Sequence, residues 1–149
     1  MKSVDTIDSV LKLKGRQLWS VAPTATVYEA IKTMSDKGVG ALLVLTDGRL
    51  EGIISERDYA RKVILLDRSS KQTTVREIMT SPVLTVTPRD TVEEAMRLMT
   101  EHRTRHLPVV ERDRVVGMIS IGDLVNWIIT AHEETIGQLQ SYIAGSYPG

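Results

Sequence analysis

Gly52-Ile53-Ile54-Ser55-Glu56-Arg57-Asp58 returns 65 residues downstream as Gly117-Met118-Ile119-Ser120-Ile121-Gly122-Asp123. Each stretch reads as an apolar strand running into a helix whose first turn carries Ser and Asp. Extended outward without a gap, Trp19–Tyr59 overlays Leu84–Leu124. The identities include Val21/Val86, Pro23/Pro88, Thr26/Thr91, Glu29/Glu94, Met34/Met99, Val44/Val109 and Arg49/Arg114. Most other apolar positions face an apolar partner. Tandem copies of one supersecondary unit bury a shared core as a pseudo-symmetric pair. The function is therefore expected where the copies meet.

Each copy is predicted to run strand, helix, strand, strand, helix. In the first, Trp19–Val21 is a short strand ended by Pro23, and Thr26 caps a helix with Glu29 as its reciprocal partner. Ala30, Ile31 and Met34 form that helix's apolar stripe. Ala41–Leu45 reads as a buried strand, Asp47-Gly48 as a two-residue hairpin turn and Leu50–Ser55 as its return strand. A helix follows over Glu56–Leu66. The second copy repeats the plan with Thr91/Glu94, Ala95-Met96-Met99, Leu107–Val110, Val115–Ser120 and a helix from Ile121. The predicted units are 1–66 and 75–149, joined by a polar linker at 67–74, and together they form one module. Val75–Met79 is predicted as a helical turn entering the second copy, with Val10–Lys14 in the same part for the first. Val4, Ile7, Val10 and Leu11 have the spacing of an amphipathic N-terminal helix. Val125, Ile128, Ile129, Ile136, Leu139 and Ile143 continue as a C-terminal stripe, suited to intrachain packing or to dimerisation.

Composition narrows the function. In 149 residues, nineteen Lys and Arg balance nineteen Asp and Glu. No global field therefore favours nucleic acid or an anionic membrane. Phe is absent and only two Trp occur, so stacking platforms for single strands are scarce. Without cysteine there is neither a disulfide nor a thiolate metal site. Met1–Gly15 lacks the apolar core of a signal peptide, and no run reaches membrane-spanning length. The expectation is a soluble, cytoplasmic protein.

The order and duplication of these motifs resemble a tandem pair of CBS domains, the regulatory repeat named after cystathionine beta-synthase. The resemblance rests on the two Ser-x-x-Asp stretches after glycine, on Ile78-Met79-Thr80 with Val86-Thr87-Pro88, and on Arg105-His106-Leu107-Pro108-Val109-Val110. It covers roughly Val10–Trp127. It implies an α+β fold of two β-α-β-β-α repeats packed sheet to sheet with pseudo-two-fold symmetry, plus N- and C-terminal helices. It also implies interdomain clefts for adenosine ligands (AMP, ADP, ATP, S-adenosylmethionine or NAD), a homodimer and a client protein.

Ser-x-x-Asp at a strand-to-helix junction has a purely structural use. The hydroxyl caps the first amides, and the carboxylate complements the helix dipole. The resemblance adds a second use, with Asp58 and Asp123 as ribose ligands and Ser55 and Ser120 beside phosphate. Arg103-Thr104-Arg105-His106 stands where the first copy has Gly38-Val39-Gly40-Ala41. Such a cluster is either a solvated edge or a phosphate site, which guanidinium suits through bidentate contacts. Arg105 and His106 match positions that contact phosphate in the family, so the Asp123 cleft is expected to carry the stronger phosphate ligands. The Asp58 cleft has Arg57. The resemblance also implies contacts crossing between the copies, which would bring Trp19, Val39 and Gly40 to Asp123, and Thr80, Leu84 and Thr104 to Asp58. His102 and His106 fall on different elements, which argues against a metal. No catalytic motif is present, so the expectation is not an enzyme but a nucleotide sensor. The alternatives are a ligand-free interaction module and, disfavoured by charge, a nucleic-acid binder using Arg103, Arg105, Arg112 and Arg114.

Overall fold

The computed structural model describes residues 5–131. Its elements are α1 (Ile7–Lys14), β1 (Ser20–Val21), α2 (Val27–Lys37), β2 (Ala41–Thr46), β3 (Arg49–Ser55), α3 (Glu56–Tyr59), α4 (Val75–Ile78), α5 (Val92–His102), β4 (His106–Glu111), β5 (Arg114–Ser120) and α6 (Ile121–Ala131). A π-helical turn, Ala60–Ile64, continues α3. Val4 and the stripe residues Ile136, Leu139 and Ile143 lie outside the described residues.

The repeated caps start the repeated helices. Thr26 Oγ1 accepts from Glu29 N at 3.1 Å and Thr91 Oγ1 from Glu94 N at 3.0 Å, and each glutamate reaches back to its threonine amide. Each box satisfies orphan donors at both ends of its first turn. The stripes Val27/Ala30/Met34 and Val92/Ala95/Met99 are buried in separate cores. Both hairpins turn through two residues at positive φ, Asp47-Gly48 in one copy and Arg112-Asp113 in the other. Their backbone twist matches that of the strands. Each hairpin also shifts register at the same place, between Val44 and Leu45 and between Val109 and Val110.

One difference between the sheets has a single cause. In the first, β1 runs parallel to β2, and Leu43 N donates to Trp19 O at 3.1 Å. The residue at the place of Leu43 in the second copy is Pro108, which has no N–H to give. There the pairing shrinks to a bridge between Val86 and Val109, and the named sheet has two strands, β4 and β5.

The leader segments overturn the expectation that each enters its own copy. Ile7 N donates to Asp90 O (2.8 Å) and Asp8 N to Pro88 O (2.9 Å), so α1 docks on the second copy. Val75 N donates to Ala25 O (2.8 Å) and Arg76 N to Pro23 O (2.9 Å), so α4 docks on the first. Ile7, Val10 and Leu11 complete the second core, and Val75 and Ile78 complete the first. Ile7, not Val10, is thus the counterpart of Val75, and the leaders repeat at an offset of 68 where the bodies repeat at 65.

The shared glycines explain how the leaders fit. A Cβ on Gly52 would lie 2.7 Å from Met79 Sδ and 2.9 Å from Thr80 O, and one on Gly117 would lie 2.6 Å from Leu11 Cδ2. Each glycine admits the crossing leader onto its sheet. Next to Gly52, Ile53 and Thr80 exchange backbone hydrogen bonds of 3.1 and 2.8 Å, which brings Thr80 to the edge of β3. β3 and β5 meet at the junction between copies.

Candidate functional site

Asp58 is placed by the end of β3 and the first turn of α3. Ser55 Oγ accepts from Asp58 N at 3.2 Å, and Asp58 Oδ2 accepts from Ser55 N at 2.9 Å and Ser55 Oγ at 3.1 Å. Its other oxygen, Oδ1, accepts from Thr80 Oγ1 at 3.3 Å and lies 3.2 Å from Lys62 Nζ. Lys62 Nζ also donates to Ile78 O at 2.9 Å. Only 8% of Asp58 is exposed, and a buried carboxylate needs this company.

This carboxylate opens into a cavity of about 520 Å³ between the copies. One wall carries Ser55, Arg57, Asp58, Arg61 and Lys62 from the first copy, and the other carries Arg103, Thr104, Arg105 and His106 from the second. Gly40 and Thr80 also line it. Arg57 Nη1 donates to Arg103 O at 2.8 Å and ties the walls together. Five cationic side chains face the carboxylates of Asp58 and Glu56. A site with one buried hydroxyl-seeking carboxylate and a surplus of guanidinium suits a ligand with vicinal hydroxyls at one end and phosphate at the other. The volume falls in the ordinary range for small-molecule pockets.

His106, at the entrance to β4, has its pKa lowered: burial disfavours the charged ring, Lys14 and Arg105 add to this, and Asp123 opposes it. The ring sits 3.6 Å from the position a Cβ on Gly40 would take.

The Asp123 side is built alike, with a lysine from α1 on its carboxylate. Ser120 Oγ accepts from Asp123 N at 3.1 Å, and Asp123 Oδ2 accepts from Ser120 N at 2.8 Å. The same Oδ2 receives Lys14 Nζ at 2.7 Å. What remains is a space of about 280 Å³ lined by Val10, Leu13, Lys14, Asp123 and Asn126.

The expected site residues therefore divide. Gly40, Ser55, Arg57, Asp58, Thr80, Thr104, Arg105 and His106 line one cavity. Arg105 and His106, expected at an Asp123 cleft, line the cavity of Asp58, and the charges of Lys14 and Asp123 still reach His106. Gly40, expected at Asp123, also lies on the Asp58 side. Trp19 and Val39 pack against the first core, and the Lys37 ammonium lies 4.5 Å from the Trp19 ring centre. Leu84 is 38% exposed and does not line the cavity. Ser120 and Asp123 cap α6. Arg61 and Lys62 went unread, although they follow Asp58 by three and four residues, the spacing of one helix face. Lys14 had no readable signal, since it meets Asp123 across 109 residues. Among the described residues no cluster of His, Cys, Asp and Glu could hold a metal, and no helix is long and apolar enough to cross a membrane.

Comparison with known proteins follows the same duplication. A profile of the CBS domain matches residues 12–65 and 75–130. The CBS domain-containing protein CBSX3, mitochondrial, of Arabidopsis thaliana is 45% identical over 152 residues, spanning 95% of this chain and 73% of that protein. A solved structure of a candidate signal-transduction protein with CBS domains from Burkholderia ambifaria is 51% identical. It aligns with a TM-score of 0.81 over 84% of this chain and 94% of its own. The CBS domain pair of protein MJ0100, solved with 5′-methylthioadenosine and S-adenosyl-L-methionine, aligns with a TM-score of 0.77 over 87% of this chain and 99% of its own. At 23% identity, that last likeness is one of fold.

Proposed function

The chain belongs to the CBS-domain family, and from that premise we propose that it is a sensor module binding an adenine nucleotide (AMP, ADP, ATP or NAD) in the Asp58 cavity. Asp58 takes the ribose hydroxyls, with Thr80 beside it, and Ser55, Arg57, Thr104, Arg105 and His106 surround the phosphate. One observation carries this reading: a buried carboxylate and a surplus of arginine from opposite copies face one 520 Å³ space. The adenosine ligands bound by the MJ0100 pair support the choice of ligand class. A ligand touching both walls stabilises one relative placement of the copies over others, and only such differential binding can transmit occupancy. The receiver is the other half of a homodimer or a client protein in the cytoplasm. No residue of the cavity is assigned a catalytic role.

Calorimetric titration with AMP, ADP, ATP and NAD tests the reading. Dissociation constants of the order of micromolar to millimolar are expected, and Asp58→Asn should weaken binding at least about tenfold, near 1.4 kcal/mol. Asparagine keeps an oxygen for the Ser55 amide. Silence with all four compounds overturns the reading.

A second reading has one observation in its favour: Asp58 is already partnered by Ser55, Thr80 and Lys62. The pair would then be a ligand-free interaction module whose Ser-x-x-Asp stretches are caps alone. Ultraviolet absorbance of freshly purified protein separates the two, because co-purified nucleotide contradicts the second.

A further inference from the structure

Arginines without an acidic partner gather at one edge of the junction. Among the described residues, no carboxylate lies within ion-pair distance of Arg57, Arg61, Arg103 or Arg105, whereas Lys14, Lys62, Arg68 and Arg76 each hold one. All four arginines are exposed, in a chain whose formal net charge is zero. The excess is therefore local. Arg57, Arg103 and Arg105 line the Asp58 cavity and also an adjoining groove of about 300 Å³, to which Thr100, Thr104 and Ile121 contribute. A nucleotide on Asp58 makes no use of that groove.

The fold does not ask for two of these side chains. Arg103 adopts φ 52 and ψ 41, close to the φ 66 and ψ 36 of Gly38 at the matching place in the first copy. A Cβ is disfavoured in that region, so glycine would serve the turn at lower cost. Arg105 stands where the first copy has Gly40, and the two backbones make the same bond: Ile121 N donates to Arg105 O at 2.9 Å and Glu56 N to Gly40 O at 3.1 Å. Glycine does this backbone work in one copy, so the guanidinium groups of the other answer to something outside the fold. Guanidinium presents its donors as a fork that matches a carboxylate. Ile121 adds apolar contact beside them. Trp19, Tyr28, Tyr59 and Trp127 line neither space, so a nucleic-acid base would find no aromatic ring to stack on.

We propose that this groove docks an acidic segment of a partner protein, whose carboxylates pair with Arg57, Arg103 and Arg105 while a neighbouring apolar side chain rests on Ile121. The docking stands independently of the nucleotide reading. One consequence rests on that reading: phosphate in the cavity draws on the same guanidinium groups, so nucleotide and partner compete.

Fluorescence anisotropy of the full chain with a labelled peptide of glutamates around a single leucine tests the assignment. The same peptide with glutamine for glutamate, and oligouridylate, serve as comparisons. The glutamate peptide is expected to bind at least about tenfold tighter than its glutamine version and to weaken steeply as salt rises from about 0.05 to 0.5 M. The double variant Arg103→Gly with Arg105→Gly should weaken it about fivefold or more. Its melting temperature should not fall, because the first copy carries glycine at both places. Equal binding of the two peptides, or a double variant that binds as well as the parent, overturns the docking surface. So does oligouridylate binding tighter than the glutamate peptide, which would make the groove a nucleic-acid site. AMP at saturation should displace the peptide, and full retention by protein that calorimetry shows to bind AMP overturns the competition. Arginine-dependent peptide binding in protein that binds no AMP leaves the docking surface standing and removes the nucleotide reading.

Discussion

Lys14 Nζ lies 2.7 Å from Asp123 Oδ2 and donates to Met118 O at 2.6 Å. Lys62 also pairs its aspartate and a backbone carbonyl, 3.2 Å from Asp58 Oδ1 and 2.9 Å from Ile78 O, although that carbonyl lies in α4 where Met118 lies in β5. The two ammonium groups arrive by different routes. Lys62 follows its aspartate by one helical turn, whereas Lys14 is carried in by the crossing leader α1. The leader brings Val10 and Leu13 with it, which leaves a space of about 280 Å³ beside Asp123 against about 520 Å³ beside Asp58.

Lys14→Met should free the Asp123 carboxylate of its ion pair at small cost. The pair is partly exposed, and such pairs are worth about 0–1 kcal/mol. The expected readout is calorimetric stoichiometry for AMP rising from one toward two per chain. A value that stays at one would mean that the packing of α1, not its ammonium group, closes this side.

Gly52→Ala and Gly117→Ala should each destabilise the fold by about 1–3 kcal/mol, the usual cost of overpacking. Gly52→Ala is the worse of the two, because its new methyl meets the Thr80 carbonyl as well as the Met79 side chain. At Gly117 the obstacle is the Leu11 side chain, so Leu11→Ala combined with Gly117→Ala should cost less than the sum of the single changes. Urea unfolding of the four variants measures the coupling.

His106 sets an acid limit on stability. Its pKa is lowered in the folded protein by burial and by Lys14 and Arg105, so the unfolded chain takes up a proton more readily. The stability this ring contributes is complete above its unfolded value of about 6.5 and is lost as pH falls below it. His106→Gln should flatten thermal stability across that window. Glu77 and Glu94, held below the usual carboxylate range chiefly by the amides of Thr74 and Thr91, act only nearer pH of about 4. Nucleotide phosphate beside the ring should raise the pKa of His106, so affinity is expected to increase from pH of about 7.5 to about 6. An NMR titration of the ring with and without AMP follows both effects.

Pro108→Ala should extend the second sheet. The matching amide in the first copy, Leu43 N, bonds Trp19 O at 3.1 Å. A new amide at position 108 is expected to find Leu84 O and to resist hydrogen exchange. Rapid exchange there would show that proline is not what shortens the strand pairing.

Much of the scaffold could be read from local pattern. Thr26 with Glu29, Thr91 with Glu94, and Asp47-Gly48 each act within a few residues, and their chemistry is complete in that span. The Ser55/Asp58 and Ser120/Asp123 pairs were legible for the same reason. Reading which side of the junction each charged group would face was beyond local pattern. Arg105 and His106 were expected beside Asp123; they line the cavity of Asp58, with His106 also close enough to Asp123 to feel its charge.

The amino-acid sequence by itself determined that there are two like halves, where their helices and hairpins begin, and which residue types stand ready for a nucleotide. Periodicity, capping and duplication are all recorded along one strand of text. Only the tertiary structure decided that the leaders exchange partners, that their offset is three residues longer than that of the bodies, and that one aspartate meets a lysine carried in on α1 while the other fronts the larger cavity. Those outcomes depend on apolar side chains of α1 and α4 seeking the nearest incomplete core, and burial rewards area removed from water without regard to distance along the chain.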